Sequence, residues 1–417
     1  MRLCLLLLGA LLAGACATTS AAPAGPRRVE TPPQRRELTA SLYPFVPDAS
    51  GMYWRLERDF EAAHPEIDLK IVLNENYYDH RPDKAKGILF SNADVYEIDS
   101  VLLEDFITAK KIQPVDASDL TGASRFRPLA EQASRRGNVW YGVPHWMCGN
   151  FLFYRRDDAR LQSATTLRAL EQALGAMTPP GGLLIDLKGK STLGEMYLDA
   201  ALDDQGTLEA ALPLLNPDKL SAENPSVAAI RRALALAPNG FSRDDDYHDR
   251  KGFYARQFAR GAGRALVGYS ERLYFIHEEK TQSCRKDEAC LDLKNVAVRE
   301  WPLSDRGSMP IVWVDVLAIG ANATGQKQRD AEELIRFLVS SAAYRGILVP
   351  GWGESPRYLM PATSEMYSDP ELLQAAPLYG ELLPLLEKGV TVSRPGLNAT
   401  LREMGRKLDE ELLPAAP

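Results

Sequence analysis

The chain is poor in the residues that most often build metal and redox centres. Only five of its 417 residues are histidine and only five are cysteine. So few histidines leave no clustered metal site to expect, and neither a metal nor a cofactor is predicted. A basic excess is also missing. Forty-nine Lys and Arg against 56 Asp and Glu give a net charge of −7, which argues against the electrostatic footprint of a nucleic-acid binder. No glycine-rich phosphate loop occurs, because Gly261-Ala262-Gly263 reads as the end of a helix. After residue 36 there is no internal repeat and no low-complexity stretch. Beyond the first sixteen residues no apolar run approaches the roughly 20 residues needed to cross a bilayer. The remaining balance, 45% apolar and 25% charged, is that of a globular chain. At this length one core usually divides, so two domains or one two-lobed unit are expected.

The amino terminus carries a different signal. Met1-Arg2 is followed by 13 apolar or small residues, Leu3 to Ala15, the length of a signal-peptide core. The run ends in Leu12-Ala13-Gly14-Ala15-Cys16, which resembles a bacterial lipobox with Cys16 as the acylated residue. The other reading is an ordinary secretory signal cleaved near Ala15 or beyond. Residues 17–36 hold four prolines and four arginines without apolar periodicity, the composition of a disordered tether. The chain is therefore expected in the cell envelope, on a periplasmic or surface face, or secreted if not acylated. Contact with membrane is expected through the N-terminal lipid alone.

From residue 37 strand-like and helix-like patterns alternate. Strands are expected at Leu38–Tyr43, Leu69–Leu73, Val95–Ile98, Val143–Tyr154 around a central interruption, Leu183–Ile185, Ala265–Tyr269, Val296–Val298 and Ile311–Ile319. Helices are expected at Met52–His64, Leu193–Leu202, Val227–Leu236, Phe253–Arg260, Asp330–Ser341, Leu378–Leu386 and Leu401–Leu412. This alternation predicts an α/β protein with mostly parallel sheets. An exported, tethered α/β chain of this length fits a two-lobed, periplasmic-binding-protein-like (type II) architecture with a ligand cleft between the lobes. The expected partition is 37–147 plus 316–350 in lobe 1 and 148–315 plus 351–417 in lobe 2. Ligands of such sheets lie beyond the carboxyl ends of strands, so residues just after strands become candidates.

Cysteine arithmetic narrows the search. Cys4 falls in the signal and Cys16 at the lipobox. Cys284 and Cys290 flank a short polar stretch and, in an oxidising compartment, most simply form a local disulfide. A redox pair or a zinc site with His277 are the weaker readings, since the spacing and ligand count fit neither. Cys148 is left over, either as a reactive thiol or as a buried apolar one. Its segment reads Tyr141-Gly142-Val143-Pro144-His145-Trp146-Met147-Cys148-Gly149-Asn150-Phe151-Leu152-Phe153-Tyr154-Arg155. In a binding-protein fold this stretch is an extended crossover on the cleft floor, which places Cys148 before a ligand. His145 lies three residues away, on the opposite face of an extended chain, so a cysteine–histidine pair is not expected.

This segment resembles the thiaminase I (thiamine pyridinylase) family. Similar segments continue along the chain: Ser41-Leu42-Tyr43-Pro44-Phe45-Val46-Pro47-Asp48, Ala93-Asp94-Val95-Tyr96-Glu97-Ile98-Asp99, Gly268-Tyr269-Ser270-Glu271, Val312-Trp313-Val314-Asp315 and Pro356-Arg357-Tyr358-Leu359-Met360-Pro361-Ala362. The stretch around Cys284 and Cys290 departs from the family as an insertion, and Phe45 and Trp313 stand where tyrosines are expected. The resemblance implies a transferase that replaces the thiazole of thiamine with a small amine or thiol; a monomer is expected. Cys148 is then the nucleophile and Glu271 the general base, which takes the thiol proton and later activates the incoming nucleophile. Asp99, Asp315, Tyr43, Tyr78, Trp146 and Tyr269 are then substrate-binding residues. A thiol is only a few per cent ionised near neutrality, so it needs such a base. A desolvated Glu271 beside Tyr269 and Tyr274 would have the required basicity. Taken without the resemblance, Asp99 is a helix N-cap and Glu271 a charge favouring a helix start. The competing function is a non-catalytic solute-binding lipoprotein carrying thiamine, a pyrimidine or another small cation.

Overall fold

The computed structural model describes residues 35–417 apart from 122–124, 176–181, 186–189, 238–250, 286–288, 350, 352–353 and 414–417. Cys16, most of the tether and the acidic stretch Asp244–Asp249 lie outside the described residues.

Strand β1 (Arg36–Leu42) leads into helix α1 (Ala49–Ala63). Helix α1 buries Met52, Tyr53, Leu56 and Phe60, a stripe with the three-to-four-residue spacing of one helical face. Strand β2 (Ile67–Leu73) follows, then β3 (Val95–Asp99), all five of whose residues are buried, as a central strand requires. Helix α2 (Ser100–Thr108) starts on Asp99, whose carboxylate accepts the Val101 N–H at 2.9 Å. Strands β4 (Val143–Cys148) and β5 (Phe151–Arg155) are separated by Gly149 and Asn150 alone. Then come β6 (Leu183–Ile185), α3 (Lys190–Gln205), β7 (Ala265–Gly268), α4 (Arg272–Glu278), β8 (Val296–Glu300) and β9 (Trp313–Ile319). Strand β10 (Met360–Pro361) and helices α5 (Tyr379–Leu386) and α6 (Leu397–Lys407) complete the elements that shape the cleft.

The strands form two main sheets. The larger has the order β10-β4-β9-β3-β1-β2 and the smaller β8-β5-β7-β6. The expectation of mostly parallel sheets is corrected here. Only β1–β2, β1–β3 and β6–β7 pair in parallel; the other five pairings are antiparallel. The reason is the crossing chain. Strands β1, β3 and β4 end at the cleft, and so do β7 and β8. Strand β9 enters the larger sheet from the cleft side, and β5 enters the smaller one the same way, so each runs against its neighbours.

The segment 351–417, expected in lobe 2, divides its contacts. Its strand β10 pairs with Trp146 and Met147 in the larger sheet, whereas α5 packs on β8 and α6 on α3. Among the described residues no helix is long and apolar enough to cross a membrane.

Candidate active site

The ends of these strands meet around one narrow cleft. Cys148 is the last residue of β4, and β5 begins three residues later. The turn needs Gly149 at its start. A Cβ there would sit 2.9 Å from both the Ile311 carbonyl oxygen and a Leu386 methyl, closer than real Cβ contacts allow. Asp99 closes β3 and pairs in register with Asp315 on β9. Glu271 immediately precedes α4, with no hydrogen bond from its side chain to the helix start.

All eight cleft residues named from the sequence line this one cavity: Tyr43, Tyr78, Asp99, Trp146, Cys148, Tyr269, Glu271 and Asp315. Phe45 and Trp313, the two departures from expected tyrosines, line it too. Phe45 stacks on Tyr78 at 5.8 Å with an interplanar angle of 7°. Tyr43 meets Phe45 edge-on at 5.6 Å. The Tyr78 hydroxyl donates to Asp99 Oδ2 at 2.6 Å and lies 3.0 Å from the Tyr43 hydroxyl. Asp99 therefore serves as cap and cleft residue at once, with one oxygen for each task.

Tyr274 does not join the cleft lining. Its hydroxyl lies one helical turn on, 3.3 Å from Glu278, because an i,i+4 partner on the same helix captures it. His145 faces away from Cys148 and pairs through Nδ1 with the buried Glu97 carboxylate at 2.5 Å. His277 is held by Ser355 at 2.8 Å. Cys284 and Cys290 are joined in a disulfide, and Cys148 is the free cysteine among the described residues. No described group of three or more His, Cys, Asp or Glu is arranged to hold a metal ion.

One acidic lining residue escaped sequence reasoning. Glu195, on α3, is 4% exposed, and its Oε2 accepts the Tyr269 hydroxyl at 2.7 Å. Nothing local marks it, since it sits inside a helix with no turn, cap or motif around it. It is brought in by tertiary packing. Helix α6 crosses α3 so closely at Gly194 that a Cβ there would lie 2.1 Å from the Leu401 carbonyl oxygen.

The cleft is thus acidic: Asp99, Glu195, Glu271 and Asp315 line it, with no Lys, Arg or His among its lining residues. The consequences follow from burial and like-charge proximity. Burial pushes the Cys148 thiol well above its ordinary range, and Asp315, Asp99, Glu271 and Glu195 push it further. Burial raises Glu271 as well, opposed in part by the Arg272 charge. Asp99 is raised by burial against its hydrogen bonds from Tyr78 and Val101. Asp315 is raised by burial and then by the neighbouring Asp99, Glu97 and Glu271. The cleft on its own therefore disfavours each added negative charge, the Cys148 thiolate included. A cationic ligand offsets part of that field, and flat aromatic walls favour a flat cation.

Residues 149–284 match the family profile described as the Thiaminase-1 domain; the match starts one residue after Cys148 and contains Glu195 and Glu271. Thiaminase-1 of Paenibacillus thiaminolyticus is 28% identical over 369 residues, which span 84% of this chain and 81% of that protein. The solved structure of Clostridium botulinum thiaminase I in complex with thiamin aligns with a TM-score of 0.72 at 22% identity, covering 89% of this chain and 99% of that one. An ABC transporter solute binding protein from Agrobacterium radiobacter in complex with ribitol aligns with a TM-score of 0.64 at 16% identity, covering 91% and 98%. These structural likenesses establish the fold. Residues 149–284 are thus similar to the Thiaminase-1 domain, and the chain has the two-lobed fold of the periplasmic binding proteins.

Proposed function

We propose that this protein is a thiamine pyridinylase-like transferase that replaces the thiazole of thiamine with another base through covalent catalysis by Cys148. The supporting observation is that Cys148 and Glu271 line one acidic, aromatic-walled cleft in a chain whose residues 149–284 are similar to the Thiaminase-1 domain. A relative of the same fold, Clostridium botulinum thiaminase I, holds thiamin in its solved structure.

The roles follow from the field in the cleft. Thiamine brings a permanent positive charge on its thiazolium. That charge offsets the carboxylates that hold the thiol protonated, so substrate arrival favours ionisation of Cys148. Glu271, raised by burial, is a better proton acceptor than an exposed glutamate and takes the thiol proton. The thiolate adds to the pyrimidine ring, and the thiazole departs with its bonding pair. Asp99 and Asp315 hydrogen-bond the aminopyrimidine and face the cation, while Tyr43, Tyr78 and Trp146 pack against the rings. Tyr269 orders the wall between Glu195 and Glu271.

Export belongs to the same proposal: the chain is delivered to the cell envelope and held there by lipid on Cys16. The lobes are taken as 37–147 plus 316–350 and 148–315 plus 351–417, with β10 of the last segment joining the larger sheet.

The test is product analysis of the purified body with thiamine and a nucleophilic amine. Base-exchanged pyrimidine and free thiazole are expected. Cys148→Ser should abolish both, and Glu271→Gln should slow exchange by about 10²-fold or more, the usual worth of a general base. Thiamine binding without product, across several nucleophiles, would leave a solute carrier in its place.

A further inference from the structure

We infer that Glu195 is a second proton acceptor in the cleft, serving the incoming nucleophile while Glu271 serves Cys148. The inference rests on the exchange reading above and goes beyond it. It starts from a proton count. Glu271 removes the Cys148 proton before the thiolate adds to the ring. When a primary amine then attacks the methylene, its lone pair forms the new C–N bond, and its N–H proton must pass to a base as that bond forms or a cationic ammonium results. The ring electrons return and expel the Cys148 sulfur as thiolate. That thiolate takes back the proton held by Glu271. While Glu271 holds the thiol proton it cannot also take the amine proton, so the amine needs another acceptor among the groups that line the cavity.

Glu195 is placed to be that acceptor. It lines the same cavity as Cys148 and Glu271 but comes from a different element, α3. It is nearly fully buried at 4% exposure, and its Oε2 is fixed by the Tyr269 hydroxyl at 2.7 Å. Tyr269 stands two residues before Glu271 in the same wall, so one short segment orients both carboxylates. Helix α3 is itself anchored at the crossing chain: one helical turn on, the Asp199 carboxylate accepts the Ile311 N–H at 3.2 Å and a hydrogen bond from the Asn150 side chain. A carboxylate used only for structure would not need to face the cavity. One used only for ligand charge would duplicate Asp99 and Asp315. With the amine proton on Glu195, one proton per turnover leaves to solvent. With a tertiary heteroaromatic base such as pyridine there is no N–H proton to lose, and the product keeps the positive charge.

That difference supplies the experiment. Wild-type protein, Glu195→Gln and Glu195→Asp are each given thiamine with aniline and pyridine together, and the two exchange products are quantified. Competition from a common intermediate makes the product ratio independent of which step limits turnover. Gln keeps an oxygen for the Tyr269 hydroxyl but accepts no proton, so Glu195→Gln should move the ratio toward the pyridinium product by about tenfold or more. Glu195→Asp, which keeps the carboxylate, should recover part of the anilino product. The wild-type ratio in D2O supplies a readout that needs no variant, and the anilino share should fall there. Equal loss of both products in Glu195→Gln, or an unchanged ratio in the variant and in D2O, would overturn the inference. Wild-type protein yielding neither product would sink the exchange reading itself, and this inference with it.

Discussion

At the scale of single residues the site is defined by what surrounds a thiol. Cys148 sits at a strand end with four carboxylates lining the same cavity. Without ligand its burial and these neighbours hold it protonated. It follows that Cys148 in the unliganded protein is alkylated by iodoacetamide more than ~10-fold slower at pH 7.5 than a free cysteine, whose pKa is about 8.5. The rate should still be climbing above pH 9. Asp315→Asn removes the largest charge opposing the thiolate and should shift that profile to lower pH, because fewer nearby anions make ionisation easier. A profile centred near 8 in the wild type, unmoved by Asp315→Asn, would mean that the cleft field does not reach the sulfur. Legibility at this scale was uneven for a physical reason. Cys148, Asp99 and Glu271 stand at strand or helix ends, where the chain changes direction and local pattern betrays position. Glu195 stands mid-helix, and only the packing of α6 on α3 decides which way it faces. Tyr274 adjoins Glu271 through its backbone, while its hydroxyl turns to Glu278 on its own helix.

At the scale of elements the cleft depends on how the chain crosses between sheets. Two neighbouring carboxylates on α3 bind both crossings. Asp199 holds the Asn150 turn and Ile311, and Asp203 accepts the N–H groups of Leu303 at 2.8 Å and Met309 at 2.6 Å. Gly149 leaves room for the two crossings to touch. Gly149→Ala would drive a Cβ to 2.9 Å from the Ile311 carbonyl, where backbone rather than a flexible side chain must yield. Overpacking of this kind costs about 1–3 kcal/mol. The variant should therefore melt lower by that amount. It should also lose exchange activity out of proportion to its melting, since the displaced residue adjoins Cys148. Calorimetry together with the exchange assay checks this, and an alanine tolerated without loss in either would show that the crossings are slack. The sequence patterns located these strands and most helices but mistook the sheets for mostly parallel. Hydrophobic runs record that a strand is buried on both faces; they carry no sign of which lobe it enters from. The antiparallel direction of β5 and β9 is set by the crossing, a long-range fact.

At the scale of the whole molecule the same carboxylates set how stability responds to pH. Asp203 is pushed up to about 7 by burial against its two backbone hydrogen bonds. Burial also raises Asp99, Asp199, Glu271 and Asp315. In the unfolded chain all five titrate near 4. Between pH 4 and 7 the folded protein therefore binds more protons than the unfolded one, and stability falls as pH rises through that window. The opposite sign holds for Asp79, Asp330 and Glu403, kept low by hydrogen bonds from Arg81, Arg36 and Arg406. Their contribution is present above pH 4 and is lost as pH falls below it. The unliganded protein should then be most stable around pH 4–5, with Tm declining toward pH 8 and declining again toward pH 3. Asp203→Asn should flatten the alkaline decline, because the variant has no buried charge to create there. In Cys148→Ser, which binds without turning over, thiamine should raise Tm more at pH 8 than at pH 5.5. At the higher pH the cleft carboxylates bear charge that a cation can neutralise; at the lower pH they are already neutral. Calorimetric scans across this range decide the matter: an unliganded Tm still rising at pH 8, or a ligand effect larger at pH 5.5, would show that the cleft is not the electrostatic well from which the catalytic proposal starts.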